Sequence, residues 1–266
     1  MNAPEKFHLP DIQASEDLRQ LAIQRVGVRG LRYPISLRDG QGRVQPTVAT
    51  LEMTVFLPPE VKGTHMSRFV EILETERGPL DLTELQVMMN DTLVHLGAPA
   101  GRIHMRFPFF VRKQAPVSGV ESLLDMDASI TIEKAFGREA EVSLQVVVPV
   151  TSLCPCSKKI SEYGAHNQRS HLTLTAVLRD QMSLERLVRI AEEEASCEVF
   201  GLLKRPDEKW VTERAYDNPK FVEDLVRDVA LRLKAEPCIA RWTIESENFE
   251  SIHNHSAYAF IEGSNG

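Results

Sequence analysis

The chain contains few cysteine and aromatic residues, no long apolar run and no excess of basic residues. Of its 266 residues four are cysteine, and phenylalanine, tryptophan and tyrosine together make up 6%. No apolar run approaches the roughly 18 residues that a helix needs to cross a bilayer. The polar, acidic N-terminus lacks the apolar core of a signal peptide. We therefore expect a cytoplasmic protein with reduced cysteines and no membrane partner.

The charge balance excludes a large class of partners. The chain has 38 acidic and 31 basic residues, which gives a net charge of −7. A protein that binds the backbone of nucleic acids needs a basic face, so we expect no nucleic-acid partner. A small phosphorylated ligand stays compatible with this charge, because a few local lysine and arginine residues suffice to bind it.

Two periodicities run along the sequence. Apolar residues at every second position predict strands over 51–57, 103–111, 126–132, 142–150 and 172–178, with weaker candidates near 24–34, 240–247 and 255–262. Apolar stripes of helical spacing begin at Met66, Leu85, Leu184 and Val222. For the last three of these helices the sequence predicts the N-caps Thr83, Ser183 and Asn218.

In order, these elements predict two ββααββ units in an α+β fold. Residues 1–19 are an N-terminal extension, 20–137 form the first module and 138–266 form the second. Strands that are half apolar and half polar suit antiparallel sheets with one face covered by helices. The open edges of such sheets favour assembly, so we expect an oligomer.

Two connections in the second module are too long for simple turns. They span residues 151–169 and 196–218, and structureless loops longer than about 12–15 residues are usually functional or disordered. The first connection lies in the stretch TSLCPCSKKISEYGAHNQRS, residues 151–170, which contains Cys154, Cys156 and His166. Both connections therefore point to a single site in the second module.

A thiol and an imidazole in one loop indicate either a transition-metal site or a nucleophile–base pair. A structural zinc site needs four protein ligands in pairs such as C-x2-C, which the C-x-C spacing does not match. A catalytic site needs three ligands and an open position, and the third ligand would be a carboxylate from the 196–218 connection. A thiol nucleophile and an inert polar loop remain as alternatives.

Three further features are ambiguous when taken alone. The alternation of His253 and His255 is typical either of a polar sheet face or of a pair of proton carriers. A lone Glu223 on the last helix is most often a solvated charge. The segment 65–68 opens the first helix, where a helix N-terminus favours anions, although ordinary capping is the commoner explanation.

Three segments together resemble the type IB GTP cyclohydrolase family. They are TSLCPCSKKISEYGAHNQRS at 151–170, THMSRF at 64–69 and ESIHNHSAYA at 250–259. The resemblance extends from about residue 20 to residue 262. It implies the tunnelling fold, built from ββααββ units, and bimodular subunits that join as a homotetramer with active sites at their interfaces. It also implies conversion of GTP and water to 7,8-dihydroneopterin triphosphate and formate, the first step of de novo folate synthesis.

Carried over position by position, the resemblance implies a metal site and a substrate site. The metal ligands should be Cys154, His166 and Glu208, around a divalent zinc, manganese or ferrous ion that activates water for attack on C8 of the purine. Cys156 should lie near the metal in a supporting role. The native metal stays open, because such a ligand set is compatible with all three ions.

The same resemblance implies how the substrate is held. Glu223 should bind the guanine edge, since a carboxylate can accept two N–H bonds that adenine does not offer. His253 and His255 should move protons. The candidates for binding the triphosphate, some of them across a subunit boundary, are Arg169, Lys158, Lys159 and Arg68.

Two other functions stay open at this point. One is a tunnelling-fold reductase in which a cysteine attacks a nitrile and NADPH supplies hydride, which needs no metal triad. The other is a non-catalytic protein that binds metal or pterin, in which Glu223 and the histidine pair would be idle. A metal assay distinguishes the reductase from a metal-dependent enzyme. Release of formate from GTP distinguishes an enzyme from the non-catalytic binding protein.

Overall fold

The computed structural model describes residues 13, 15–38, 40–75 and 78–266. Most of the predicted N-terminal extension, residues 1–12 and 14, lies outside the described residues. In the first module the elements are β1 Ile23–Arg38, β2 Val44–Leu57, α1 Met66–Glu74, α2 Leu82–Leu96, β3 Gly101–Gln114 and β4 Glu121–Lys134. The strands and helices therefore follow one another in the predicted ββααββ order.

The second module repeats this order with three additional elements. It contains β5 Glu141–Leu153, α3 Pro155–Ile160, β6 Asn167–Leu178, α4 Leu184–Glu194, β7 Cys197–Glu198, α5 Arg205–Asp217, α6 Val222–Lys234, β8 Ile239–Asn248 and β9 Ala257–Ser264. The additional elements are α3, β7 and α5, and all three lie in the two connections that the sequence predicts as long loops.

The strands of both modules form one antiparallel sheet. Within the described ranges its order is β1-β2-β3-β4-β5-β6-β8-β9, and the short β7 pairs with β5. The modules join through β4 and β5, where Ile130 faces Leu144. As a result β1 and β9 are the edge strands of one sheet that spans both modules in the described part of the chain.

The apolar face of the sheet packs against the helices. On β2 the buried residues alternate with less buried ones, and Leu51, Met53 and Val55 are each at most 1% exposed. One cluster of buried side chains extends through both modules, and it includes α1 Phe69 and α4 Leu187. The predicted alternation of strands and three of the four predicted helical stripes are therefore confirmed as the two sides of one core. The stripe on α1 is only partly right, because Met66, where it was predicted to begin, is exposed.

Two predicted helix caps are wrong. Asp81, and not Thr83, is the N-cap of α2, and its carboxylate accepts a hydrogen bond from the amide of Glu84 at 3.0 Å. Asn218 caps the C-terminus of α5, whereas α6 begins three residues later than predicted from that cap, after Phe221. The N-cap Ser183 of α4 is confirmed, since its side chain accepts from the amide of Arg186.

The prediction of a loop over 196–218 is also wrong, because α5 occupies most of it. Of its 13 residues only Asp207 and Ala215 are buried. The helix therefore has no apolar stripe that periodicity could detect. None of the helices in the described part of the chain is long and apolar enough to cross a membrane.

Candidate functional site

Cys154 and His166 lie side by side where β5 ends and β6 begins. Leu153 pairs with Asn167 in the ladder between these strands. One step further, the amide of Cys154 donates to the carbonyl oxygen of His166 at 3.3 Å. Cys154 has an extended backbone, so it continues the pairing by one residue. Opposed residues in such a pair have Cβ atoms about 5 Å apart on the same face of the sheet. The structure thus brings the predicted thiol and imidazole together.

The short helix α3 fixes the backbone that follows Cys154. Cys154 is its N-cap and Pro155 its first residue, where the missing N–H is no loss. The carbonyl oxygen of Cys154 accepts from the amide of Lys158 at 3.2 Å and from the hydroxyl of Ser157 at 3.1 Å. Cys154 is half-buried, while Cys156 on α3 is exposed.

The segment 249–256, between β8 and β9, lies against the start of β6. The amide of Phe249 donates to the carbonyl oxygen of Arg169 at 2.9 Å. The hydroxyl of Ser251 lies 3.2 Å from Nδ1 of His166. A partner at Nδ1 is the usual arrangement of a metal-bound histidine, because it orients the ring and leaves Nε2 as the ligand atom.

The same segment carries the two predicted proton carriers. The rings of His253 and His255 are stacked, with centroids 5.0 Å apart and planes 13° from parallel. Both side chains are exposed. The two imidazoles therefore lie next to each other, in a turn and not on a sheet face.

Glu223 lies near Cys154 because of how α6 begins. It is exposed in the first turn of that helix. Three residues earlier, the amide of Lys220 donates to the carbonyl oxygen of Leu153 at 3.1 Å. The N-terminus of α6 therefore adjoins the end of β5, next to Cys154.

The predicted triphosphate residues are divided between two places. Arg169 is exposed at the start of β6. The ammonium group of Lys158 donates to the carbonyl oxygen of Tyr216, the next-to-last residue of α5, and lies 4.1 Å from the centre of its ring. Both are at the Cys154 end of the sheet.

Arg68 lies at the opposite end of the sheet. Its guanidinium donates to the carbonyl oxygen of His95, near the end of α2. The chain then enters β3, whose first residue pairs with the last residue of β4. This end of β4 in turn lies beside the start of β5. The 13 residues of β5 span roughly 40 Å. Within one chain, the structure does not bring Arg68 to the site.

Glu208 is exposed in the first turn of α5. It precedes Tyr216 by eight residues, or about 12 Å along the helix axis, and Tyr216 is the residue of α5 that accepts the hydrogen bond from Lys158 of α3. In the described part of the chain no three His, Cys, Asp or Glu side chains are grouped closely enough to hold a metal ion. The structure therefore brings two of the three predicted metal ligands together, and Glu208 as the third stays a prediction.

Asp207, which the sequence did not single out, holds the first turn of α5 against the first module. Its fully buried carboxylate accepts from the amides of Val117 and Ser118, both at 2.8 Å, and from the Ser118 hydroxyl at 2.6 Å. It also accepts from the amide of Lys204 at 2.8 Å. Burial alone would raise the pKa of Asp207, but these hydrogen bonds outweigh it and hold that pKa well below its usual range. The position of the neighbouring Glu208 thus depends on the β3–β4 turn.

A groove elsewhere in the molecule contains none of the predicted site residues. It measures about 1230 Å³ and lies beside α4 and the ends of β2 and β3. At its floor Lys113, 6% exposed, forms ion pairs with Glu192 at 2.7 Å and with Glu198. Burial raises the pKa of Glu192, and Lys113 offsets part of this effect. These partners are separated by 79 and 85 residues, so no local pattern reveals them.

Comparison with known proteins identifies close relatives. The family model described as "Type I GTP cyclohydrolase folE2" matches residues 9–259. The chain is 68% identical to GTP cyclohydrolase FolE2 1 of Dechloromonas aromatica over 265 residues, which cover all of both chains. It is 61% identical to GTP cyclohydrolase FolE2 of Cupriavidus pinatubonensis, over 96% of this chain and 94% of that one.

Solved structures with a similar fold are urate oxidases. One is a highly active mutant of Bacillus sp. TB-90 urate oxidase, with a TM-score of 0.51 and 9% identity over 91% of this chain and all of that chain. Another structure of the Bacillus sp. TB-90 enzyme gives 0.50 at 10% identity, with the same coverage. At this identity the likeness concerns the fold alone, and it confirms the predicted α+β tunnelling fold.

Proposed function

The chain belongs to the type I GTP cyclohydrolase FolE2 family, and from this premise we propose that it hydrolyses GTP. The reaction converts GTP and water to 7,8-dihydroneopterin triphosphate and formate in the cytoplasm, as the first step of tetrahydrofolate biosynthesis. The observation that carries the proposal is the pairing of Cys154 with His166. Glu223 and the His253–His255 pair lie at the same end of the sheet.

The side chains of the proposed ligands have the chemistry that a divalent metal site needs, and the structure brings two of them, Cys154 and His166, together. A thiol and an imidazole on neighbouring strands are ligands for zinc or ferrous iron, and a carboxylate extends the set to manganese. We propose Cys154, His166 and Glu208 as the ligands, with the contact between Ser251 and Nδ1 orienting the His166 ring. When bound, such an ion would supply the Lewis acidity that activates water for attack on C8 of the purine.

Glu223 is proposed to select guanine. Its carboxylate is exposed at the N-terminus of α6, where the free amides of the first turn also favour polar ligands. A carboxylate can accept two N–H bonds from the guanine edge, and adenine lacks that pair of donors. The hydrogen bond from the Lys220 amide to the Leu153 carbonyl oxygen joins the start of α6 to the end of β5. This contact supports a guanine ring that lies close to Cys154.

His253 and His255 are proposed to carry protons during ring opening, ribose rearrangement and closure of the pterin ring. Their stacked arrangement on the surface lets either ring reach a bound substrate. Cys156, exposed on α3 two residues after Cys154, is proposed to support the site without being a main ligand.

Positive charge for the triphosphate is proposed to come from Arg169 and Lys158, with Arg68 of another subunit. The distance between Arg68 and Cys154 within one chain supports a contribution across a subunit boundary. We also propose a homotetramer with interfacial active sites. Support comes from the outer edges of β1 and β9, which pair with no further strand within the described residues, and from the exposed Tyr258 and Phe260 on β9.

The test is to incubate the purified protein with GTP and a divalent metal ion. Release of formate together with the fluorescence of a pterin supports the proposal. Full activity in metal-free protein would remove the ligand assignment, and the cysteine-nucleophile reductase would then be the better candidate. Binding of GTP or pterin without turnover would favour a non-catalytic protein.

A further inference from the structure

Gln168 lies between the predicted ligand His166 and the predicted phosphate residue Arg169, yet its side chain points the other way from Arg169. Residues alternate along β6, and Gln168 is 8% exposed on the helix-covered face, whereas Arg169 is exposed. Nε2 of Gln168 donates to a carboxylate oxygen of Glu250 at 2.9 Å. This hydrogen bond joins residues 82 positions apart in the sequence.

The bond belongs to a row of three contacts that hold residues 249–251 along the start of β6. The amide of Phe249 donates to Arg169, Glu250 accepts from Gln168, and Ser251 contacts Nδ1 of His166. His253 follows Ser251, the last residue of this row, by two positions. The position of the histidine pair relative to His166 is therefore set by this row.

Of the two side-chain contacts, the one between Gln168 and Glu250 is the better shielded from water. It joins a buried amide to a half-buried carboxylate, and hydrogen bonds to charged groups are stronger than those between neutral groups. The contact at Ser251 is made by an exposed hydroxyl. Loss of the Gln168–Glu250 bond therefore frees the segment more than loss of the Ser251 contact does.

A role in packing alone does not explain a glutamine at this position. Its Oε1 is buried and has no hydrogen-bond partner among the described residues. A buried acceptor without a partner destabilises the folded state, because it loses its hydrogen bonds to water and gains none. An apolar side chain of similar size would avoid this cost and fill the same space.

We propose that Gln168 and Glu250 are positioning residues that hold the His253–His255 pair against the Cys154–His166 site. The inference rests on the proposed function, in which the two imidazoles transfer protons. Removing the bond lets the segment move, and a displacement of about 1 Å at a reacting group can cost about 100-fold in rate. Glu223 does not touch this bond, so binding of GTP there is not affected. Cys154 and His166 stay joined by their own backbone hydrogen bond, so we expect the metal still to bind.

The test compares Gln168→Leu, Glu250→Gln and the double swap Gln168→Glu with Glu250→Gln. The double swap restores one donor and one acceptor with their places exchanged. The control is Gln145→Leu on β5, whose amide donates to Thr175 at 3.0 Å. Gln145 lies eight residues, or roughly 26 Å, before Leu153. Each variant is assayed for kcat and KM with GTP, metal content and melting temperature.

We expect Gln168→Leu to lower kcat at least 10-fold, with KM within about 2-fold of wild type and full metal content. The double swap should recover most of kcat, and the control should keep it. An unchanged kcat in Gln168→Leu would overturn the inference. So would a loss of kcat that follows lost metal or lost stability and that the swap does not rescue. If the wild-type protein releases no formate from GTP, the proposed function itself fails.

Discussion

The amide nitrogen of Cys154 lies 3.3 Å from the carbonyl oxygen of His166, to which it donates a hydrogen bond. The two residues are twelve positions apart, but they face each other because β5 and β6 continue into the connection that the sequence predicts as a loop. The thiol and the imidazole therefore start from fixed backbone positions. That preorganisation favours metal binding, since little conformational freedom is lost on ligation.

Cys154→Ala should abolish both metal retention and turnover. The thiolate is the softest donor in the proposed set, and no other residue can replace it from the same backbone position. Elemental analysis and formate release measure the two effects. The matched control is Cys238→Ala, because Cys238 precedes β8 at the other end of the sheet. Retention of one equivalent of metal by Cys154→Ala would show that the ligand assignment is wrong.

Glu223→Ala should keep the metal but weaken GTP binding by about 100-fold or more. Two hydrogen bonds to a charged carboxylate are worth about 3 kcal/mol together, or more. Equilibrium dialysis with GTP measures the change. Asp224→Ala is the control, since Asp224 is in the same helical turn and pairs only with Arg227, at 3.6 Å. Unchanged GTP binding in Glu223→Ala would exclude the guanine assignment.

Asp207→Asn should lower the melting temperature by several degrees at neutral pH. The amides of Val117 and Ser118 donate to one carboxylate oxygen, and the Ser118 hydroxyl and the Lys204 amide donate to the other. An asparagine amide has a single acceptor oxygen, so it can accept from only one of these two pairs. The folded-state pKa of Asp207 is lowered, so its contribution is fully present above the ordinary aspartate pKa of about 3.9 and is lost as pH falls through the folded-state pKa.

Thermal melts between pH 3 and pH 8 measure this dependence. The difference between wild type and Asp207→Asn should be constant above about pH 5 and should shrink at more acidic pH. The control Asp217→Asn changes an exposed carboxylate at the end of the same helix and should have little effect. A difference that does not depend on pH would contradict the role given to the ionised carboxylate.

Lys113→Met should destabilise the protein by about 3–5 kcal/mol, because it leaves Glu192 and Glu198 without their shared cation. Glu192→Gln should cost much less, since the amide oxygen still accepts from Lys113. Denaturant unfolding at pH 8 and pH 5 measures both variants. The cost of Lys113→Met should be smaller at pH 5, where burial favours protonation of Glu192. Equal effects of the two substitutions would contradict this account.

Sequence periodicity predicts the parts of this fold that bury apolar surface. The alternation on β2 and β3 and the stripes on α4 and α6 each repeat over several residues, so the core is visible locally. Periodicity does not predict helix α5, because this helix buries only two side chains. The predicted cap of α2 is wrong because two cap-forming residues, Asp81 and Thr83, stand close together. The predicted cap of α6 is wrong because Asn218 ends α5, and α6 begins after Phe221 without a side-chain cap.

The part of the candidate site that was predicted is also the part that a local pattern shows. Cys154 and His166 belong to one continuous motif, so their proximity follows from the chain itself. The contacts of Gln168 with Glu250 and of Asp207 with Ser118 join residues 82 and 89 positions apart. Such pairs depend on strand register and on the packing of the two modules, which a single sequence does not display.

The most direct test of the metal-dependent GTP hydrolysis proposed here is reconstitution of chelator-treated protein with zinc, manganese or ferrous iron. Formate release from GTP is then followed for the wild type and for Cys154→Ala. The account predicts that activity is absent without metal, returns with at least one of the three ions and does not return in the variant. Full formate release by metal-free protein, or equal recovery in Cys154→Ala, would contradict it.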